Sequence, residues 1–283
     1  MKRMIDLQIT SRCNLNCKFC DGAPKDITDT PFSDVRKVID KLKKSNVKRI
    51  VITGGEPLLY NEIDDLIEYI KNMDIEIYLS TNGYFLEKHI DTIINNVSCI
   101  GLPLDASDPK ICELMTRKEN QISTTLKAIE IIKSKKPNIV VKVGTVVSKI
   151  NIDEIDKIYN LLISLKYKPD VWRLYEFSPL GIGEKNRQKF EISTSQFISS
   201  TQKYLNSTEM SVSRLSNESS NDAYIFLHPN MDVVLLTNDK YKKVGNILKM
   251  SDMDVEKLFC DEQLTLKNQQ ENRRWLEREN RHD

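Results

Sequence analysis

Three cysteines, Cys13, Cys17 and Cys20, stand within the eight residues CNLNCKFC, and they are half of the six in this chain of 283 residues. The C-x3-C-x2-C spacing puts three thiols on one short loop. Clustered thiols in a large chain without an export-type N-terminus point to metal or redox chemistry rather than to disulfides. A structural zinc site takes four ligands and a ferredoxin-type cluster takes four cysteines, so a compact triad leaves one metal position open to a substrate or cofactor. Two plainer readings stand beside that one: three incidental buried thiols, or a zinc knuckle completed by a distant histidine such as His89. Cys99, Cys112 and Cys260 have no cysteine close by in the sequence and read as ordinary buried thiols.

What positions the cysteine loop is a repeating unit. Short β-branched runs alternate with amphipathic stretches up to about residue 177, the pattern of βα units around a parallel sheet. The strands expected are Met4 to Ile9, Arg49 to Thr53, Glu76 to Ser80, Cys99 to Leu104, Val140 to Val147 and Val171 to Glu176. Helices are expected near 33–44, 63–72, 87–95, 123–135 and 153–165. Ile122, Leu126, Ile129 and Ile132 share one helical face, as do Ile155, Ile158, Leu162 and Leu165, and such stripes are core. Six such strands make either an open doubly wound sheet or a partial (β/α)6 barrel, and both put chemistry at the C-terminal strand ends. The cysteine loop follows strand one, GGEP follows strand two, STNG strand three, and PLD ends strand four. Beyond Phe177 the rhythm changes to a C-terminal α+β extension. It contains GIGEKN, SNESSND and a β pair, Tyr224 to Leu227 with Val233 to Leu236, joined by HPNM. The last residues, NQQENRRWLERENRHD, read as a solvated helix or frayed tail.

Composition narrows the partners. With 42 Lys and Arg against 41 Asp and Glu, the net charge of +1 gives no global field for holding nucleic acid or an anionic membrane. No apolar run reaches the roughly 18 residues that span a bilayer, and MKRMIDLQIT leads directly into strand-like alternation, so a cytoplasmic protein is expected.

CNLNCKFC followed by GGEP at Gly54 to Pro57 resembles the radical S-adenosylmethionine (SAM) superfamily. The resemblance implies a partial barrel over residues 1–177, with residues 178–283 closing its mouth and contributing to the substrate site. It implies a 4Fe-4S cluster on Cys13, Cys17 and Cys20, with SAM chelating the fourth iron. Reduction of SAM would release a 5′-deoxyadenosyl radical that abstracts a substrate hydrogen, the electron coming from a donor such as flavodoxin or ferredoxin. Phe19 matches an aromatic that packs near the adenine. Gly54 and Gly55 would let the backbone approach the methionine moiety, with Glu56 and Pro57 fixing the turn, and Ser80, Thr81, Asn82 and Asp105 would contact SAM. Pro103 stands where many members have serine.

The segments VKVGTVVSKIN, VWRLYEF, NDAYIFLHPNMDVV and KKVGNILKM resemble the second half of the viperin family, which dehydrates a ribonucleoside triphosphate to its 3′-deoxy-3′,4′-didehydro form. By that resemblance Lys142 and Arg173 would hold the triphosphate and Tyr224 would return a hydrogen atom, with Lys240, Lys242 and Lys243 adding charge to the pocket. Departures are Asp21 after Cys20, Gly144 in place of a polar residue, and FSPLGIG, which has no close counterpart. A single-cluster enzyme acting on another small molecule or a peptide is the alternative, and a noncatalytic zinc scaffold the remote one.

Overall fold

Strand β1 (Arg3–Thr10) sorts its side chains by alternation. Ile5, Leu7 and Ile9 enter the main apolar core with Val35, Val38, Ile39 and Leu42 of helix α1 (Phe32–Lys44), while Asp6 and Gln8 project from the other face. The same division runs through β2 (Val47–Gly54), β3 (Glu76–Ser80), β4 (Cys99–Pro103), β5 (Val140–Val147) and β6 (Val171–Glu176). Between them lie α2 (Ile63–Asn72), α3 (Ile90–Asn96), α4 (Pro109–Leu114), α5 (Gln121–Lys135) and α6 (Ile155–Ser164). In this computed structural model, residues 3–22, 25–259, 266–268 and 270 are described.

Strand order decides between the two architectures. The ten-stranded sheet runs β10-β9-β8-β1-β2-β3-β4-β5-β6-β7, so β1 to β7 are neighbours in sequence order with no reversal. A doubly wound sheet needs a point where the order reverses, and here there is none. From β1 to β6 the crossovers all step in one direction, which puts their helices on one face and curls the other around an interior. The result is an open partial barrel with β10 and β7 as its edges. The apolar stripes of α5 and α6 face the core, with Ile129, Ile132, Ile155, Ile158 and Leu162 buried and Ile122, Leu126 and Leu165 packed against them.

The barrel interior mixes charged groups with a small apolar cluster of Met4, Val51, Tyr78 and Cys99. Arg49 and Glu76 are register partners on β2 and β3 and pair at 2.6 Å, with the guanidinium 4.3 Å from the Tyr78 ring centre. Burial of such charges is tolerated because they are paired.

The extension holds the expected β pair and more strands besides. β7 (Ser211–Leu215) pairs parallel with β6, and β8 (Ile225–Leu227) parallel with β1. β9 (Asp232–Thr237) and β10 (Lys240–Asn246) then add antiparallel. The expected boundary at residue 177 therefore falls inside one continuous sheet. β7 was hidden because SVSRL has only two apolar residues among two serines and an arginine, a weak strand signal in a serine-rich stretch. Cys260 and most of the charged tail lie outside the described residues. Within that tail Asn268 is buried, its side chain bonding Met4 N and O and Ala223 O between β1 and β8, where a solvated residue was expected.

Candidate active site

At the C-terminal strand ends Cys13, Cys17 and Cys20 line one cavity of about 430 Å³. The loop that carries them is fastened at both ends. Asp29 accepts from Thr10 Oγ1 at 2.8 Å and Ser11 N at 3.3 Å and pairs with Arg12 at 3.1 Å, fixing the exit from β1. At the other end Gly183 N donates to Cys20 O at 3.1 Å. FSPLGIG, which matched nothing, is thus the segment that packs on the cysteine loop. Gly181 within it has φ +55°, and a Cβ there would meet Cys20 O at 3.2 Å.

The GGEP turn serves the same loop. Gly55 N donates to Thr10 O at 2.7 Å and Glu56 N to Arg12 O at 2.8 Å. A Cβ on Gly54, whose φ is +143°, would stand 2.5 Å from Thr10 O, and one on Gly55 would stand 2.4 Å from Arg12 O and 2.7 Å from Ser11 O. Both glycines line the cavity, and each also needs glycine for its close approach to the cysteine loop's backbone.

Glu56 and Pro57 do not line the cavity and stand in the turn itself. The Glu56 carboxylate is fully buried and accepts from Thr81 Oγ1 at 2.6 Å, Asn82 N at 2.7 Å and Leu58 N at 3.1 Å. Burial pushes its carboxyl up to about 7 against those hydrogen bonds. It ties the turn after β2 to the loop after β3. Ser80, Thr81 and Asn82 do line the cavity. The Asn82 amide donates to Asn14 Oδ1 at 2.7 Å and reaches Cys13 Sγ at 4.0 Å, so this loop steadies the cysteine loop in turn.

Asp105 lines the cavity but is not free for a ligand. Its Oδ1 accepts from Val146 N at 2.8 Å, and its Oδ2 pairs with Arg117 at 2.7 Å. Arg117 escaped the sequence reading, since LMTRKEN carries no motif. Its guanidinium lies 3.3 Å from Cys17 Sγ and 4.8 Å from the Phe19 ring centre. The negative charge of Asp105 leads the influences that hold it protonated against its own burial. A guanidinium in the cavity wall is suited to a carboxylate such as that of SAM. Phe19 lines the same wall and packs edge-to-face on Phe190 at 5.7 Å.

Burial pushes the Cys13 thiol up and the Cys20 thiol to about 11, with the Asp21 charge adding to the second. Metal must displace those protons, as it does at thiolate sites generally. Among the described residues no three His, Cys, Asp or Glu side chains converge closely enough to share one ion. Three thiols on one cavity suit a cluster, where each sulfur meets its own metal. His89 cannot complete a zinc knuckle, because its Nδ1 lies 2.8 Å from Asp64 away from the cavity. Cys99 and Cys112 are buried thiols, pushed up by burial to about 12 and about 11.

The far wall is aromatic. Lys142 of β5, buried, donates to Tyr175 Oη of β6 at 3.1 Å. Tyr224 stacks on Phe226 at 5.7 Å, and Tyr241 of β10 meets Phe226 edge-on and donates to Asp21 O at 3.0 Å. All five, with Asp6 from β1, line the cavity. A Cβ at Gly144 would stand 3.0 Å from the Tyr175 ring, so the missing side chain there is the room Tyr175 occupies.

Four expected phosphate contacts are not in that wall. Arg173 is fully buried two residues before Tyr175 on the same strand face, one layer deeper, with its guanidinium 5.4 Å from the Tyr175 ring centre. Lys240, Lys242 and Lys243 are exposed on edge strand β10, where alternation gives the inward position to Tyr241. Lys243 pairs with Asp232 at 2.6 Å.

Comparison with known proteins agrees with this geometry. One relative is an S-adenosylmethionine-dependent nucleotide dehydratase of Fibrobacter sp. (strain UWH6), 29% identical over 209 residues, covering 69% of this chain and 61% of the relative. Another is a GTP 3′,8-cyclase of Clostridium botulinum (strain Okra / Type B1), 32% identical over 204 residues, covering 68% and 62%. The chain thus spans about three-fifths of the length of these curated relatives. Streptococcus suis SuiB bound to S-adenosylmethionine shares the fold, with a TM-score of 0.70 at 16% identity over 93% of this chain and 67% of that one. The family model for the Radical SAM superfamily matches residues 7–162, which include the three cysteines, the GGEP turn and Arg117. The chain belongs to the radical SAM superfamily, whose cofactors are a 4Fe-4S cluster and SAM.

Proposed function

We propose that this protein is a radical SAM enzyme acting on a ribonucleotide, and that its reaction is dehydration of the ribose. The observation that carries the reading is the single cavity with two unlike ends, three thiols at one and Lys142 among Tyr175, Tyr224, Phe226 and Tyr241 at the other. When bound, the cluster and SAM supply a carbon-centred radical that removes a hydrogen atom from substrate. The chain's own residues do the rest. Cys13, Cys17 and Cys20 would hold the cluster, with Phe19 and Arg117 beside SAM. Aromatic side chains offer faces for a nucleobase, and a buried ammonium is suited to a phosphate oxygen. Tyr224, in the wall and stacked on Phe226, is the residue we assign to hydrogen return. Relatives named as a nucleotide dehydratase and a GTP 3′,8-cyclase support the nucleotide class.

Phosphate number is where the reading is sharpest. A triphosphate brings about four charges, yet of the five cations expected for it Lys142 alone lines the cavity. The test is anaerobic incubation of reduced, reconstituted enzyme with SAM and ribonucleoside mono-, di- and triphosphates, recording 5′-deoxyadenosine and product mass. Dehydration predicts a product lighter than the substrate by one water. Lys142→Met should weaken nucleotide binding about tenfold or more, since a charge-assisted contact is worth roughly 1.5–3 kcal/mol. Failure of every ribonucleotide to stimulate deoxyadenosine release contradicts the reading.

A further inference from the structure

Each of the three cavity thiols receives a hydrogen bond, but not of the same kind. Cys13 Sγ accepts from Leu15 N and Cys20 Sγ from Gly22 N, both at 3.4 Å, which are neutral backbone donors. Cys17 Sγ accepts from Arg117 Nη1 at 3.3 Å, the single charged side-chain donor to any of the three among the described residues. That donor is immobilised. Its Nε and Nη2 are held by Asp105 Oδ2 at 2.8 and 2.7 Å, and its face lies on Phe19. Asp105 is itself fixed, through Oδ1, by Val146 N of β5. A contact that only filled space would not need a carboxylate with 1% side-chain exposure to aim it.

We propose that Arg117 sets the reduction potential of the cluster through the Cys17 sulfur, with Asp105 as the residue that positions it and partly offsets its charge. Reduction adds one electron to the cluster, and hydrogen bonds to the ligating sulfurs and nearby net charge are among the factors that set its potential. A positive N–H donor stabilises the more negative, reduced state and makes the potential less negative. Asp105 acts in the opposite direction by its charge and, lying behind the guanidinium, offsets only part of that effect. The assignment extends to Lys118 and Lys25 only as solvated neighbours, since neither bonds a thiol.

The inference rests on Cys13, Cys17 and Cys20 carrying the cluster, and the test separates the two. The cluster is reconstituted without SAM and its reduction followed by electron paramagnetic resonance against the solution potential. In Arg117→Met/Asp105→Asn the net charge is unchanged and only the charged hydrogen bond is lost. Its reduced-to-oxidised ratio at a fixed potential should fall about tenfold, equivalent to ~59 mV for one electron. Asp105→Asn alone keeps Arg117 and removes the countercharge, so its midpoint should move the other way, less negative than wild type. A double variant that folds, loads iron fully and keeps the wild-type midpoint overturns the proposal. Should that variant fail to fold, an unmoved midpoint in Asp105→Asn overturns it equally. Wild-type protein that binds no iron at all would instead remove the cluster assignment beneath it.

Discussion

The two ends of the cavity are built by different means. At the cysteine end the structure is main chain against main chain: Gly55 and Glu56 donate to Thr10 and Arg12, Gly183 donates to Cys20, and the Glu56 carboxylate gathers three donors from two loops. At the far end the wall is side chains projecting from β5, β6, β8 and β10, and the tie from β10 to the cysteine loop is the Tyr241–Asp21 bond. Backbone packing fixes a site to within a Cβ. Side-chain walls can change residue by residue on the same sheet. The first suits cofactors shared by a superfamily, and the second suits a substrate that differs among its members.

Breaking the cysteine end should therefore cost the most. Gly55→Val forces a Cβ to within 2.4 Å of Arg12 O, and backbone cannot swing aside as a side chain can. We expect iron loading after reconstitution to fall below about a tenth of wild type, because the loop carrying Cys13 must move. Full iron loading with only weaker SAM binding would place the clash on the ligand instead.

Glu56→Gln should come next. The substitution keeps one acceptor oxygen where Leu58 N and Asn82 N use two, and leaving the other buried donor unpaired costs about 1–3 kcal/mol. It carries a pH signature. The Glu56 carboxyl sits at about 7 in the folded chain against an ordinary 4.5, so between those values the folded protein holds a proton that the unfolded chain has released. Its contribution to stability is full below about 4.5 and declines as pH rises through 7. Glutamine does not titrate. Urea unfolding of the apoprotein should show the variant's deficit larger at pH 5 than at pH 8, and equal deficits would contradict a buried, raised Glu56.

The far wall should respond more gently and more selectively. Tyr241→Phe keeps the ring beside Phe226 and loses the bond to Asp21 O, an expected loss of about 0.5–1.5 kcal/mol in unfolding free energy. Lys242→Ala, one residue along the same strand but facing solvent, should change stability by less than about 0.5 kcal/mol and nucleotide binding by less than twofold. Similar effects from the two, measured side by side, would mean that β10 does not present one face to the cavity.

The same contrast explains what could be read without coordinates. Cys13, Cys17, Cys20, Gly54 and Gly55 are contiguous motifs at strand ends, and the period-two and helical patterns located β1 to β6 to within a few residues. Arg117 was illegible because it acts from the loop after α4 across 100 residues of sequence to Cys17. Glu56 was legible as a motif member but not as a clamp, since only the fold brings Thr81 and Asn82 to it. Arg173 and the three β10 lysines were chosen by charge alone. Arg173 shares the inward face with Tyr175 but lies one layer deeper, so Tyr175 stands between it and the cavity. On β10 facing is set by register, and Tyr241 takes the inward place between Lys240 and Lys242.

The most direct test of one cavity joining a cluster end to a nucleotide end is hydrogen transfer between them. Reduced, reconstituted enzyme is given SAM and a ribonucleotide deuterated throughout the ribose, and the 5′-deoxyadenosine formed is weighed by mass spectrometry. Deuterium in 5′-deoxyadenosine, with release stimulated by the nucleotide, is the predicted result. Release that is unlabelled and no faster than without nucleotide would contradict it.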